Sequence, residues 1–269
     1  MKNICITSAK RTAIGSLGKS LKNVNAEDLG SAVISSVVEN SKLKLNDLDE
    51  VIMGQVLTGG SGQNPARQAS IKSGVPKETP AYIVNQVCGS GIRSVASGFQ
   101  SIMAGDSKIL VAGGQENMSL APHAIHLRDG KKLGDTELID TMIKDGLWDA
   151  FHGYHMGITA ENVAEKFQVT RDEQDKFALK SQEKALKAQK NNKFKEEIVN
   201  FKIKSSWRNR QFVWKTFVCR NVPFGYRYSM QKTSQGARIL DFRAANERKP
   251  VLFSPRYSSR LHTFCMGTG

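Results

Sequence analysis

Residues 81–114 read AYIVNQVCGSGIRSVASGFQSIMAGDSKILVAGG, and this stretch decides the fold class. The apolar run AYIVNQV is followed by a cysteine and a glycine-serine-glycine break. A segment whose apolar residues recur every three or four positions comes next, and then a second apolar run, KILVAGG. That order predicts a strand, a helix that Gly105 closes, and another strand. Strands interleaved with helices of this length are typical of a mostly parallel sheet with helices on both faces.

The residues before this stretch continue the same alternation. NICITSA (3–9) and EVIMGQV (50–56) are predicted strands, and residues 25–41 and 64–74 are predicted helices. In the helix that follows the cysteine, small residues are predicted to permit close packing on the sheet; they are Ser94, Ala96, Ser97 and Gly98. We therefore expect an α/β fold over the first part of the chain.

Three sections differ in pattern. Residues 1–116 are predicted to form the α/β core, and residues 117–204 a long loop excursion followed by helices. An excursion of that length in a compact domain is usually functional. Thr170 and Glu173 have capping-box spacing and predict the start of the last helix. Residues 205–269 form a tail of different composition, which we expect to be frameshifted or poorly ordered.

The basic charge of the chain is concentrated in this tail. The net charge is +14 over 269 residues, and the tail holds 12 basic and 2 acidic side chains against 27 and 23 in residues 1–204. It also holds 11 of the 20 aromatic residues. Two origins remain open: a basic, aromatic tail that binds RNA by phosphate neutralisation and base stacking, or a shifted reading frame. The absence of a coherent pattern favours the frame shift, so nucleic acid is not the expected partner.

The composition excludes several classes of protein. No apolar run approaches the length of about 20 residues that spans a bilayer, and the first residues lack the apolar region of a leader. We expect a soluble, cytoplasmic protein without a membrane partner. The four cysteines show neither a C-x-x-C pair nor zinc-ligand spacing, so no metal and no disulfide is expected.

Cys88 has two interpretations. Free cysteine is among the most buried residue types, which favours a small core residue. However, Cys88 follows a predicted strand and precedes a predicted helix, where the N–H groups of the first turn favour a thiolate. Gly89 and Gly91 allow the backbone and a substrate to approach closely. Spacing alone leaves a core cysteine and a nucleophile equally open.

Three segments resemble the thiolases and occur in the order of that family. They are GQNPARQA (62–69), NQVCGSGIRSVASGFQSIMAGDSKILVAGGQENMSLAPH (85–123) and GYHMGITAENVAEKF (153–167). The similarity runs from residue 2 to about residue 204 and is greatest to thiolases that act on acetyl-CoA. It implies a thiolase-like layered α/β/α fold. The implied function is a reversible condensation of two acetyl-CoA molecules to acetoacetyl-CoA through an acyl-cysteine intermediate.

The resemblance also implies roles for single residues. Cys88 corresponds to the acylated nucleophile, and its backbone N–H to one oxyanion donor. His155 and Met156 correspond to positions lining the acyl and pantetheine pocket, and Leu147 to a neighbouring apolar wall. Without the motif, a hydrogen-bonded loop histidine is the preferred interpretation of His155; with the motif, the pocket position is preferred. The family implies a homo-oligomer, a dimer or tetramer, and no cofactor other than the coenzyme A thioester substrate.

Some charged and glycine-rich segments have two interpretations. The basic residues of RDGKK (128–132) could meet coenzyme A phosphates, although a solvated loop explains them equally well. GGSGQNPARQ (59–68) lacks the G-K-[ST] ending of a phosphate loop, so a turn before a helix is preferred.

The sequence departs from the family pattern after residue 204. It contains neither the N-E-A-F segment, whose asparagine positions a water, nor the G-H-P segment, whose histidine activates the nucleophile. CMGTG (265–269) is a faint echo of the family's second cysteine loop, and a chance match or the product of an internal deletion is preferred to a functional Cys265. The sequence therefore predicts a truncated and impaired enzyme of this lineage, or a non-catalytic coenzyme A-binding or assembly subunit that lacks the second thiolase half. It also predicts an apolar face left uncovered on the first half.

Overall fold

The computed structural model describes residues 4–203 and two strands further on, at residues 226–232 and 238–244. The helices are α1 (Ala26–Asn40), α2 (Pro65–Lys72), α3 (Ser90–Ala104), α4 (Thr141–Gly146), α5 (Met156–Lys166) and α6 (Arg171–Lys190). The strands are β1 (Glu50–Gly54), β2 (Ala81–Val84), β3 (Leu110–Gly114), β4 (His123–Ala124), β5 (Ile139–Asp140), β6 (Trp148–Asp149), β7 (Tyr154–His155), β8 (Tyr226–Lys232) and β9 (Arg238–Ala244). The chain divides into two units, the first containing residues 4–203 and the second the antiparallel pair β8–β9.

The first unit is organised around a three-stranded sheet with β1 in the centre. Both β2 and β3 pair with β1 in parallel, and Val51 lies opposite Ala81 on one side and Val111 on the other. Parallel neighbours require crossover connections, which α2 and α3 supply. The predicted α/β fold with a parallel sheet is confirmed.

Alternation along β1 supplies both faces of the sheet. Val51 and Met53 belong to a buried cluster that includes Ile34 and Val38 from α1 and two alanines from α2. Ile52 and Gly54 lie on the other face of the sheet, on which α3 packs, because successive residues of a strand alternate between its faces. The strand is almost fully buried because helices cover it from both sides.

Helix α3 packs on the second face through its smallest residues. Ser94 and Gly98 are buried, and the Ser94 hydroxyl lies 2.7 Å from the carbonyl oxygens of both Gly91 and Gly113. A Cβ on Gly98 would lie 2.6 Å from a methyl carbon of Leu110, so a larger residue there would displace the Leu110 side chain. Close packing is confirmed for these two positions and is wrong for Ala96, which is exposed.

The larger apolar residues of α3 face away from the sheet. Exposed on this outer face are Ile92, Val95, Phe99 and Met103. Ile92 is 75% exposed and Phe99 is 53% exposed. The apolar residues whose spacing predicts the helix therefore lie mostly on its exposed face and not against the sheet. This bears out the expectation of an uncovered apolar face within the described residues.

The predicted strand at residues 3–9 is wrong where the structure describes it. Residues 4–10 form no strand, and Arg11 makes only an isolated parallel bridge to Ile198. The Arg11 guanidinium lies 2.7 Å from a carboxylate oxygen of Glu197 and stacks over the Phe194 ring. A short apolar run is compatible with an extended segment, but a strand also needs a neighbour with which to pair.

The excursion from residue 117 contains short pairs of strands and then helices α5 and α6. Thr170 and Glu173 form the predicted capping box at the start of α6, each side chain bonding the backbone N–H of the other residue. Among the residues that the structure describes, no helix has both the length and the apolar character required to cross a bilayer. Cys265 and most of the 205–269 tail lie outside those residues.

Candidate active site

Cys88 lies in the turn between β2 and α3. The strand ends at Val84 and the helix begins at Ser90, so the cysteine stands two residues before the first helical position. Its side chain is exposed. An exposed thiol is inconsistent with a core cysteine and is compatible with a nucleophile. Gly89 is the N-cap of α3 and provides no side-chain cap to the first turn.

The residue before the cysteine has an unusual backbone conformation. Val87 has a φ of 49°, in the left-handed region that a β-branched residue rarely adopts. Such a conformation costs about 1–3 kcal/mol and persists only when its surroundings impose it. The Asn85 side chain accepts a hydrogen bond from the Val87 N–H at 2.9 Å, and the Ser90 hydroxyl donates to the Val87 carbonyl at 2.6 Å. Hydrogen bonds thus hold both ends of the strained residue.

The first turn of α3 rests directly on the main chain of the sheet. Gly54 and Gly114 are paired residues at the carboxyl ends of β1 and β3. A Cβ on Gly54 would lie 2.4 Å from the carbonyl carbon of Ser90 and 2.6 Å from the nitrogen of Gly91. No side chain of β1 or β3 therefore separates the helix from the sheet at this end, and the cysteine turn is seated on backbone. Sites in open α/β sheets gather outside this edge.

The other predicted site residues share one hairpin. Strands β6 and β7 pair Trp148 with His155, and the N–H of Met156 donates to the carbonyl of Leu147 at 2.9 Å. His155 is the N-cap of α5, and its Nδ1 accepts a hydrogen bond from the Gly157 N–H at 3.0 Å. Because Nδ1 is an acceptor, the neutral imidazole carries its proton on Nε2. Leu147, His155 and Met156 are therefore brought together by a few local hydrogen bonds.

The sequence matches one known protein family model over most of its length. The family model described as "Thiolase, N-terminal domain" matches residues 4–221. The chain belongs to the thiolase family. The parallel sheet and the exposed cysteine between β2 and α3 lie within the matched residues.

The chain is also similar in sequence to curated proteins of known name. An "Acetyl-CoA acetyltransferase" from Rhizobium meliloti is 58% identical over 203 residues, which is 76% of this chain and 52% of the relative. One of the same name from Shinella zoogloeoides is 57% identical over 202 residues, or 75% and 51% of the two chains. "Acetyl-CoA acetyltransferase, cytosolic" from Rattus norvegicus is 52% identical over 202 residues, again 75% and 51%. The chain spans about half the length of the curated relatives it matches.

The thiolase site residues predicted from the sequence fall into two groups. Cys88 belongs to the sheet and α3, whereas Leu147, His155 and Met156 belong to the β6–β7 hairpin and the start of α5. A pocket shared by the two groups, and the catalytic role of Cys88, stay predictions. The basic side chains of the 128–132 loop are exposed, which fits either of their two interpretations.

A polar strip directly after β3 is a feature of this thiolase domain that the sequence reasoning missed. Its polar side chains hold two earlier segments. Gln115 donates to Gln55 at 2.9 Å, and the Glu116 carboxylate accepts from the N–H groups of Val56 and Leu57, so both hold residues 55–57. The Asn117 amide donates to the carbonyls of Leu21 and Val24, and the Ser119 hydroxyl accepts from the Gly18 N–H, so both hold residues 18–24. Its signal in the sequence is the run QENMS (115–119), which follows the predicted strand KILVAGG directly.

Glu116 is the charged member of this strip. Burial raises the pKa of its carboxyl group, and hydrogen bonds from the N–H groups of Val56, Leu57 and Asn117 oppose that shift. Its Oε1 is buried and makes no hydrogen bond to the described residues. The partly buried carboxyl group thus fixes the loop that leaves β1 through the N–H groups of Val56 and Leu57.

A cavity of about 350 Å³ opens beside the same edge of the sheet. It is lined by residues of the α1 N-terminus, the loop after β1 and the segment after β3; among them are Glu27, Gln55, Gly60, Asn117 and Pro122. A second, more open depression of about 510 Å³ lies between α5 and α6 and is lined by Phe167, Gln168, Val169, Glu173, Gln174 and Phe177. Neither of these two depressions is lined by Cys88.

Proposed function

We propose that this chain carries the nucleophile half-reaction of an acetyl-CoA acetyltransferase. The observation that supports this most directly is the exposed Cys88 in a strained turn at the carboxyl edge of a thiolase sheet. The named activity of the relatives supports acetyl-CoA as the substrate. In this proposal the chain has the cytoplasmic location expected from the sequence, and the rat relative carries "cytosolic" in its name.

The acetylation step involves one bond made and one bond broken. The Cys88 thiolate attacks the carbonyl carbon of acetyl-CoA, and the tetrahedral oxyanion collapses to expel the coenzyme A thiolate, which takes up a proton. The product is an S-acetyl thioester on Cys88. Covalent catalysis of this kind splits a difficult carbon–carbon bond formation into two easier steps. Leu147, His155 and Met156 are proposed to line the acyl and pantetheine channel.

The condensation step has a further requirement. A second acetyl-CoA must lose a proton from its methyl carbon, and the resulting carbanion attacks the acetyl-cysteine and releases acetoacetyl-CoA and the Cys88 thiolate. General acid–base groups contribute about 10²–10⁴ each to such steps, and an oxyanion donor about 10²–10³. The asparagine and histidine segments that supply them in the family pattern are absent from this sequence. For a polypeptide limited to these 269 residues, we therefore propose acetylation without efficient condensation.

A single-turnover assay tests this proposal. The chain is mixed with acetyl-CoA labelled in the acetyl group, and peptides are analysed by mass spectrometry while acetoacetyl-CoA is measured in the same sample. We expect label on Cys88, none in Cys88→Ser, and acetoacetyl-CoA no higher than in that variant. Absence of label on Cys88 would refute the acetylation step, whereas normal acetoacetyl-CoA production would refute the restriction to one half-reaction.

The second candidate function is that of an assembly subunit whose partner supplies the remaining groups. The uncovered apolar row on α3 favours this candidate, since contiguous exposed apolar surface marks association sites. Co-expression with the second half of a thiolase relative tests it. Condensing activity that appears only in the mixture supports a subunit role, and activity that needs no partner refutes it. Self-association into a dimer or tetramer is part of either proposal, and light scattering measures it.

A further inference from the structure

The Ser90 hydroxyl ties together the two residues that precede Cys88. It accepts a hydrogen bond from the Gln86 N–H at 2.9 Å and donates one to the Val87 carbonyl at 2.6 Å. The Ser90 backbone N–H also donates to the Val87 carbonyl, at 3.1 Å. One side chain thus uses both its donor and an acceptor site within the turn that carries the thiol.

This hydroxyl acts on the strained residue. Val87 is β-branched and left-handed, so without restraint it relaxes toward negative φ. A change of φ at Val87 rotates the next peptide unit, which belongs to Cys88. The Asn85 side chain holds only the N–H of Val87, whereas Ser90 holds its carbonyl, the end that is joined to the cysteine.

Ser90 is itself anchored to the sheet. It is 4% exposed, and its carbonyl carbon lies so close to Gly54 that a Cβ there would come within 2.4 Å. The clamp therefore connects the cysteine turn to the central strand and does not move freely with the turn.

We propose that Ser90 is a positioning residue for Cys88, holding the strained turn so that the thiol meets a thioester carbonyl in a productive geometry. The inference rests on the proposed role of Cys88 as the acetylated nucleophile. Small misplacements of reacting groups cost large factors in rate, up to about 10²-fold for 1 Å. Removing the hydroxyl should therefore slow acetylation more than it affects the exposure of the thiol.

The test compares two reactions of Cys88 in the full chain. One is acetylation by labelled acetyl-CoA, which needs an oriented thiol. The other is alkylation by iodoacetamide, quantified for Cys88 relative to the exposed Cys5 in the same sample. In Ser90→Ala we expect acetylation to fall by about tenfold or more, and the alkylation ratio to change by less than about threefold. Ser90→Thr retains the hydroxyl and should restore most of the acetylation rate.

Ser94→Ala is the matched control. Ser94 is also a buried serine of α3, but its hydroxyl lies against the Gly91 and Gly113 carbonyls and does not contact the cysteine turn. We expect its acetylation rate to stay within about threefold of wild type, because the clamp remains. Equal losses in Ser90→Ala and Ser94→Ala would show a merely structural role and overturn the proposal.

A double-mutant cycle with Val87→Gly isolates the clamp. Glycine adopts the left-handed conformation without steric cost, so removing the Ser90 hydroxyl in that background should cost less than about threefold. Additive losses would overturn the proposal. If wild-type Cys88 takes no acetyl group, the proposed function fails and the inference fails with it. If wild type is acetylated and Ser90→Ala is acetylated at the same rate, only the inference about Ser90 fails.

Discussion

Helices α1 and α6 show how differently two parts of this thiolase chain are stabilised. Helix α1 buries six of its residues, and Ile34 and Val38 pack into the cluster beneath the sheet. Helix α6 is longer, and it has no buried residue although Phe177, Leu179 and Leu186 are apolar. Its structure depends on local interactions such as the Thr170–Glu173 capping box and the Arg171–Asp175 ion pair. A helix can therefore be well specified by its own sequence and still contribute no core.

The largest effect that tests this comparison is expected from truncating one apolar residue in each region. Ile34 is 1% exposed, so Ile34→Ala should lower the free energy of unfolding by about 2–5 kcal/mol through lost burial and a cavity. Phe177 is 73% exposed, and Phe177→Ala should change it by less than about 0.5 kcal/mol. Urea unfolding followed by circular dichroism measures both variants. Similar losses in the two variants would show that α6 shares the core.

An intermediate effect is expected where the sheet meets α3. Gly54→Ala forces a methyl group against the backbone of Ser90 and should cost about 1–3 kcal/mol. Gly113→Ala on the neighbouring strand is the matched control, since the nearest atom to its Cβ is the Met53 sulfur at 3.9 Å, an ordinary contact. The same unfolding measurement applies. A neutral Gly54→Ala would mean that the helix does not rest on the sheet backbone.

The smallest effect is a pH dependence of stability, with opposite signs at Glu116 directly after β3 and at Glu173 in α6. Burial raises the pKa of Glu116 above its ordinary value of 4.5, so the folded state keeps this proton after the unfolded state has lost it. The associated stability is complete below that value and is lost as pH rises through the folded pKa. Wild type measured against Glu116→Gln should therefore become relatively less stable as pH rises from about 4 to about 7.

Glu173 provides the opposing case in α6. Hydrogen bonds from the N–H and hydroxyl of Thr170 lower the pKa of this exposed carboxyl below 4.5. Its contribution is present above that value and is lost as pH falls through the folded pKa. Against Glu173→Gln, wild type should become relatively less stable as the solution is acidified, by a small amount because the group is exposed. Thermal melts over a pH series measure both differences, and matching signs would contradict the assignment.

The sequence predicts the central elements of the fold because their patterns agree with their surroundings. Strands β1, β2 and β3 and helices α1, α2 and α3 all appear within a few residues of their predicted positions. The segment before Arg11 is also apolar and forms no strand, because an apolar run indicates burial or extension and does not specify a partner strand. Helix α3 turns its small residues toward the sheet and its larger apolar residues outward. Ser94 and Gly98 allow a closer approach to the sheet than larger residues do.

The candidate site is predicted less completely. Cys88 is singled out from the sequence because it lies between a predicted strand and a predicted helix and because the segment around it resembles the thiolases. Ser90 has no such signal, because a serine within a glycine-rich turn is common and its two hydrogen bonds exist only once Val87 is left-handed. Glu116 is missed for a similar reason, since its carboxylate binds N–H groups of Val56 and Leu57, which lie 60 and 59 residues earlier.

The pair of glycines at the ends of β1 and β3 has a consequence for how this domain tolerates change. The first turn of α3 meets the sheet there through main-chain atoms, without a side chain between them. A single methyl group at position 54 would force the turn and the sheet apart, although that position lies far from Cys88 in sequence. The seating of the cysteine turn on the sheet thus depends on position 54 having no side chain.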